Sequence, residues 1–212
     1  MPKILEKTER RLGEKLFLKG DRSLGPKCAM VRRAYPPGVH GKPGRGSKRK
    51  GRGGSELSLL LNAKQVIRFR YGLDDRDIAR YSKQATQRAG IFSVNFLRLL
   101  EMRLDNVVFR LGLTDSRRAA RQIVGHGHIA VNSKRVTIPS LQLKKGDVVG
   151  FGERSLVLSP ATGRTERLKK YQPPQWLSLN ADKKEGMVLR QPEAAETGVT
   201  SDLTKIKEFY SR

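Results

Sequence analysis

The sequence predicts an α+β chain: an irregular basic N-terminal extension, a helical domain, and a small αβ module of two helices plus a mostly antiparallel sheet. Three observations carry that expectation. Between Ser55 and Gly125, apolar residues recur at helical spacing, with Ser, Thr or Asp at the starts and Gly at the ends. After Gly125 the pattern changes to short β-branched runs separated by turn residues. Before Ser55, proline, glycine and cations dominate, and such a composition buries little apolar area.

Residues 1–54 form the extension, with short helical pieces and Phe17, Leu18 and Tyr35 as packing residues. Ser55 can cap a helix to Tyr71, with Leu57, Leu60, Leu61, Lys64, Ile67 and Tyr71 at helical spacing and Gly72 as its stop. Asp74 starts a second helix through about Ala89, closed by Gly90 and packed through Ile78, Ala79 and Tyr81. Ser93 caps a third, Val94 to Leu111, with Leu97, Leu100, Leu104, Val107, Val108 and Leu111 as its buried stripe. These elements make 55–97 the first part of the helical domain and 98–163 the small module.

A short fourth helix follows. Thr114 or Asp115 can cap it, and Gly125 suits the left-handed position past its end. With Arg117 at zero, Arg121 falls near 40°, Arg118 near 100° and Gln122 near 140°. Ala119, Ala120, Ile123 and Val124 take the opposite arc, so one face packs while three guanidinium groups and an amide point out. Strands are expected at His128–Val131 and Arg135–Ile138 around Asn132-Ser133-Lys134, then at Val148–Phe151 and Ser155–Leu158. Residues 164–212 form the C-terminal part of the helical domain. Within them, Pro173 and Pro174 lead the single tryptophan, Trp176, into an apolar spot, and Thr200 or Ser201 caps a last helix, Asp202 to Tyr210.

Charge narrows the function. The 212 residues hold 44 Lys/Arg against 20 Asp/Glu, a net +24. A single-sign field of this size attracts polyanions, with nucleic acid first and an anionic membrane surface second. Sixteen of the cations lie in residues 1–54, whereas residues 180–212 are neutral overall. The charge is therefore local and marks a binding surface. No apolar run reaches the length of a bilayer span, and the N-terminus lacks the apolar run of a signal peptide. One cysteine, Cys28, excludes an internal disulfide and fits a reducing cytoplasm.

Catalytic signatures are missing from the sequence. It holds no GxxxxGK[ST] loop, no HExxH and no glycine fingerprint after a strand. His126 and His128 have no nucleophile or acid nearby in sequence, so they read as RNA contacts or structural residues. His40 reads as a turn residue, and Cys28 has no CxxC partner. No catalytic residue, metal site or cofactor is expected.

The stretches RLDNVVFRLG and SRRAARQIVGHGHIAVN, with KCAMVRRAYPPGVHG, PQWL and the terminal EFYSR, resemble in order the bacterial small ribosomal subunit proteins of the S-four family. The resemblance implies that the αβ module is an RNA-binding module inserted in the helical domain, to which the terminal helix returns. It implies a non-enzymatic primary binder of the 5′ domain of 16S rRNA that nucleates subunit assembly. It further implies a place beside the S-three and S-five proteins, near the mRNA entry channel, with an effect on decoding accuracy, in the cytoplasm. Many members hold zinc through four cysteines, and the matching positions here are Glu6, Glu9, Ser23 and Cys28. Three thiolates are gone, so no zinc is expected.

The expected RNA contacts follow. A-form RNA is recognised through shape, phosphates and 2′-hydroxyls. Arg117, Arg118 and Arg121 would grip phosphates, Ser116 would donate at the helix start, and Gln122, His126 and His128 would offer hydrogen bonds. Lys134 and Arg135 extend this surface, Arg103 and Arg110 join it from the preceding stretch, and Lys42, Arg45, Lys48, Arg49, Lys50 and Arg52 would thread between RNA helices. Pseudouridine synthases and some tRNA synthetases carry a similar module, but beside a catalytic domain for which this chain has no room. A free-standing RNA-binding regulator would lack the landmarks that flank the module.

Overall fold

The computed structural model describes residues 5–38, 41, 55–152, 168–199 and 202–211. Two compact units emerge, Met1–Lys83 with Thr200–Arg212, and Gln84–Val199.

The first unit begins with α1 (Leu5–Leu12), α2 (Asp21–Leu24) and α3 (Ala29–Arg32). Helices this short are not stable on propensity alone. Here the buried Glu9 carboxylate accepts from the amides of Leu16 and Leu18 at 3.3 and 3.1 Å. This turn sends Leu16 into the interior and leaves Phe17 exposed at φ +56°. Phe17 is thus not the packing residue expected; Leu16 and Cys28 are buried in its place. Tyr35 is half-buried, with the Arg10 guanidinium 5.0 Å from its ring centre.

The next helix, α4 (Glu56–Tyr71), has the ends read from the sequence. The Ser55 hydroxyl accepts from the Ser58 amide, and Gly72 is left-handed at φ +65°. Leu60, Ile67 and Tyr71 are buried, but Leu57 and Leu61 are exposed. Counting from Leu60, they lie near 60° and 100°, past the edge of the inward arc that Lys64 closes at about 40°. The helix α5 (Asp75–Gln87) buries Ile78 and Tyr81. The terminal helix α9 (Thr204–Ser211) packs on α4, with Leu203 and Ile206 buried. It starts two residues later than expected, where Asp202 accepts from the Thr204 amide. Thr200 and Ser201 lie outside the described residues.

The second unit departs from the expected single helix Val94–Leu111. Its backbone forms α6 (Phe92–Glu101) and α7 (Leu104–Arg110), broken at Arg103. Residues 139–143 cause the break. Leu104 and Asp105 donate their amides to the carbonyls of Leu141 and Pro139, Leu143 donates to Met102, and Arg103 bridges to Gln142. The expected stripe is nevertheless buried throughout, from Leu97 to Leu111. The residue at the N-cap is Ile91, not Ser93, so Phe92 joins the first turn and is buried.

After α8 (Arg117–Gly125) comes a five-stranded antiparallel sheet of order β2-β1-β3-β5-β4. Its strands are β1 (Ile129–Val131), β2 (Lys134–Val136), β3 (Val148–Phe151), β4 (Leu177–Asn180) and β5 (Glu185–Val188). Ile129 pairs with Val136 on one side and Phe151 on the other. Asn132 and Ser133 both have positive φ, the signature of a two-residue type I′ hairpin turn. The expected strand Ser155–Leu158 lies outside the described residues. The hairpin β4–β5, additional to the strands expected from the sequence, pairs through β5 with β3. Its Gly186 is required by close approach: a Cβ there would collide with Leu111 and sit 2.8 Å from the Ser178 carbonyl. The core joins Leu104, Val107, Val108, Leu111, Ala120, Val124, Ile129, Val149 and Trp176.

Candidate nucleic-acid interface

The cap of α8 is Ser116, not Thr114 or Asp115. Its hydroxyl oxygen accepts from the Ala119 amide at 3.2 Å, while Thr114 is buried and donates to the Ser116 carbonyl. The Ser116 hydroxyl proton can still donate. At the other end Gly125 is the last helical residue, and the left-handed glycine is Gly127 at φ +74°. A Cβ on Gly127 would strike the Arg135 guanidinium, which donates to the His126 carbonyl at 3.3 Å. The turn thus brings the Arg135 side chain of β2 to the end of α8.

Ala120 and Val124 are fully buried, and Ile123 packs against the same core. Arg118 and Gln122 are exposed and Arg121 is half-buried. His126 is exposed and His128 half-buried, with ring centres 5.9 Å apart. Both precede β1, so their proximity comes from the turn at Gly127 and not from strand alternation. Lys134 and Arg135 are exposed on β2, which is an edge of the sheet. Arg118, Gln122, His126, Lys134 and Arg135 are thus exposed, and Arg121 and His128 half-buried, along α8, the turn that follows it and β2.

Three arginines behave differently from the sequence expectation. Arg103 is 1% exposed and makes a bidentate pair with Asp105, at 2.7 and 3.0 Å. A side chain this buried has no surface to offer RNA, contrary to expectation. Arg110 donates twice to the buried Glu101 carboxylate, at 3.0 and 2.8 Å, and to the Thr197 carbonyl at 2.6 Å. It belongs to the interior scaffold. Arg117 is half-buried rather than splayed outward: its Nε donates to Asn106 Oδ1 at 2.7 Å, and its guanidinium lies 4.5 Å from the Phe109 ring centre. Nothing about Asn106, Phe109 or Glu101 marked them from sequence, apart from an amide and an acid set amid an apolar helical stripe. Tyr171 closes this corner, donating to the Arg110 carbonyl at 3.0 Å. Burial pushes its phenol above the ordinary value, against the opposing pull of Arg110 and Arg117. The tract Lys42, Arg45, Lys48, Arg49, Lys50 and Arg52 lies outside the described residues, as does His40.

The donor set at Glu6, Glu9, Ser23 and Cys28 does not suit a structural zinc. Glu9 is held by two amides, Ser23 accepts from the Lys19 amide at 3.2 Å, and Glu6 pairs with Arg22 at 2.8 Å. One thiol remains, where tetrahedral structural sites use thiolates and imidazoles. Among the described residues no cluster of three such donors occurs, and no helix is long and apolar enough to cross a membrane.

A cationic helix face carried on a compact αβ core defines the class: a polyanion-binding module within a larger α+β protein. Residues 102–149 match the family described as S4 domain, and residues 5–101 match that described as Ribosomal protein S4/S9 N-terminal domain. The small ribosomal subunit protein uS4 of Thermus thermophilus is 41% identical over 203 residues, covering 96% of this chain and 94% of that protein. Its counterpart in Syntrophomonas wolfei is 42% identical with the same coverage. The uS4A protein of Clostridium botulinum is 45% identical, again over 96% of this chain and 94% of the relative. The chain belongs to the bacterial uS4 family of small ribosomal subunit proteins.

Proposed function

We propose that the protein is a non-enzymatic constituent of the cytoplasmic small ribosomal subunit that binds the 5′ domain of 16S rRNA and nucleates assembly there. The observation that carries this reading is the surface of Arg118, Arg121, Gln122, His126, Lys134 and Arg135 on a rigid αβ core, in a chain of the uS4 family. Arginine suits phosphate through its planar fork, and the exposed amide and imidazole suit 2′-hydroxyls. Ser116 adds a donor at the start of α8. Arg117 contributes its charge from a held position. The basic tract Lys42 to Arg52 provides a second contact with the RNA. Residues 98–163 act as the RNA-binding module, 1–54 as the basic extension, and 55–97 with 164–212 as the helical domain. In the subunit the protein lies beside the S-three and S-five families near the entering mRNA, where it bears on decoding accuracy.

A hydroxyl-radical footprint of the purified protein on 16S rRNA tests the reading. The expected result is protection of a compact multi-helix junction in the 5′ domain, lost when Arg118 and Arg121 are both alanine. Protection scattered over all domains, or unchanged in the double variant, overturns it.

A further inference from the structure

We propose that Phe17 is a base-stacking residue: the N-terminal extension presents its ring, with exposed Lys15 and Lys19 on either side in the chain, to an unpaired base of the RNA. The inference rests on the RNA-binding reading of the protein and adds to it a contact in the first unit, on a different element from α8.

The backbone at Phe17 is left-handed, at φ +56°. Glycine takes this region freely and asparagine tolerates it, whereas a bulky side chain there is strained. Among the described residues the other non-glycine positive φ values, at Asn132, Ser133 and Lys184, fall between paired strands, and Phe17 is the aromatic one. Glu9, itself 1% exposed, enforces the conformation. Its Oε1 accepts from the amides on both sides of Phe17, that of Leu16 at 3.3 Å and that of Leu18 at 3.1 Å. Leu16 anchors the same turn in the interior. The Phe17 residue is 41% exposed, so much of a large apolar side chain faces water. Strain and exposed apolar area both work against folding, and a glycine here would avoid both. Backbone strain that the surrounding structure imposes concentrates at ligand-binding positions.

The surroundings select RNA as the occupant. Lys15 and Lys19 are exposed two residues to either side, and Arg11, Lys27, Arg32 and Arg33 are exposed in the same extension. Among the described carboxylates of that stretch, Glu9 is buried, Glu6 pairs with Arg22 at 2.8 Å and Glu14 lies 3.9 Å from Arg70. An aromatic face among cations suits looped or single-stranded RNA: a splayed base stacks on the ring, and the phosphates beside it meet the lysines. For an apolar protein partner the same charges would have to be desolvated without compensation.

The affinity of the full-length chain for a 16S rRNA 5′-domain transcript, measured below the melting transition, tests this. Phe17→Ala is expected to lower affinity by roughly five- to 150-fold. The slope of log affinity against log salt stays unchanged, because stacking neutralises no phosphate. Phe17→Tyr, which keeps the π-face, is expected to bind like the unaltered protein. Phe17→Leu, which keeps apolar bulk without that face, is expected to bind like Phe17→Ala. Should Phe17→Ala not fold, the Tyr and Leu variants carry the comparison. In assembled small subunits, Phe17→p-benzoylphenylalanine is expected to give a photo-crosslink to 16S rRNA. A crosslink to a neighbouring protein in place of RNA, a folded Phe17→Leu protein that binds as tightly as Phe17→Tyr, or a changed salt slope overturns the stacking role. If Arg118→Ala with Arg121→Ala weakens binding in the same assay, the RNA-binding reading survives that outcome; if no variant weakens binding, both fall.

Discussion

Replacing Asp105 by alanine removes the carboxylate that neutralises Arg103 inside the second unit. The two side chains are 5% and 1% exposed and meet through two hydrogen bonds, of 2.7 and 3.0 Å. Water therefore cannot take over the role of the lost carboxylate. Breaking such a buried pair costs about 3–5 kcal/mol. For a unit of this size the melting temperature falls about 10–20 °C. Trp176, the single tryptophan and fully buried in the same unit, reports its unfolding by fluorescence. Replacing both partners, Arg103→Met with Asp105→Leu, is expected to recover most of the loss, because apolar replacement of a buried pair is often neutral. Below the transition, the salt dependence of RNA binding in Asp105→Ala should equal that of the unaltered protein, since Arg103 has no surface. A melting shift under about 3 °C, or a salt slope altered by about one phosphate contact, would refute the assignment of Arg103 to the scaffold.

Four further outcomes are expected. Arg118→Ala with Arg121→Ala should reduce the slope of log affinity against log salt by about 1.4–1.8, at roughly 0.7–0.9 per phosphate contact; an unchanged slope in filter binding would remove both from the interface. Gly186→Ala should destabilise the second unit by about 1–3 kcal/mol through overpacking against Leu111 and the Ser178 carbonyl, and a melt like that of the unaltered protein would contradict the close approach. Burial pushes the Glu9 carboxyl above its ordinary value, against the lowering effect of the Leu18 and Leu16 amides. The folded state then keeps its proton to higher pH than the unfolded chain, so this stabilisation is full below the ordinary carboxylate pKa and is lost as pH rises through the raised value. The unaltered protein should accordingly lose stability relative to Glu9→Gln from acidic to neutral pH, and a relative gain would reverse the sign. Finally, a strong zinc chelator should leave the melt of the first unit unchanged, because Glu9, Ser23 and Glu6 are committed to amides and to Arg22; a chelator-dependent shift would count against that donor set.

Local signals reported local structure well. Ser55 and Gly72 bound α4 because capping involves only neighbouring backbone groups. The apolar stripe from Leu97 to Leu111 was legible even where the helix was not continuous, since burial follows apolar character. The exposed and buried faces of α8 also followed from angle alone, for Arg118, Gln122, Ala120 and Val124. Harder to read were choices among chemically equivalent neighbours. Thr114, Asp115 and Ser116 can all cap a helix, and the buried position of Thr114 left the role to Ser116. Gly125 and Gly127 both permit a left-handed turn, and it falls at Gly127, where a Cβ would also meet the Arg135 guanidinium.

By itself the sequence determined the α+β class, the ends of the longest helix, the core stripe and a strongly cationic surface, because each follows from periodicity, capping or charge along the chain. The tertiary structure alone decided that α6 and α7 separate at Arg103, where backbone groups from residues 139–143 compete for the helix hydrogen bonds. It also decided that β4 and β5 complete the sheet, and which cations face outward. Arg103, Arg110, Arg117 and Arg118 are the same residue type in one basic stretch. The neighbouring carboxylate of Asp105 and, from nine and eleven residues away, the Glu101 carboxylate and the Asn106 amide draw the first three inward and leave Arg118 on the surface. Identical side chains are told apart only by the partners that folding brings to them.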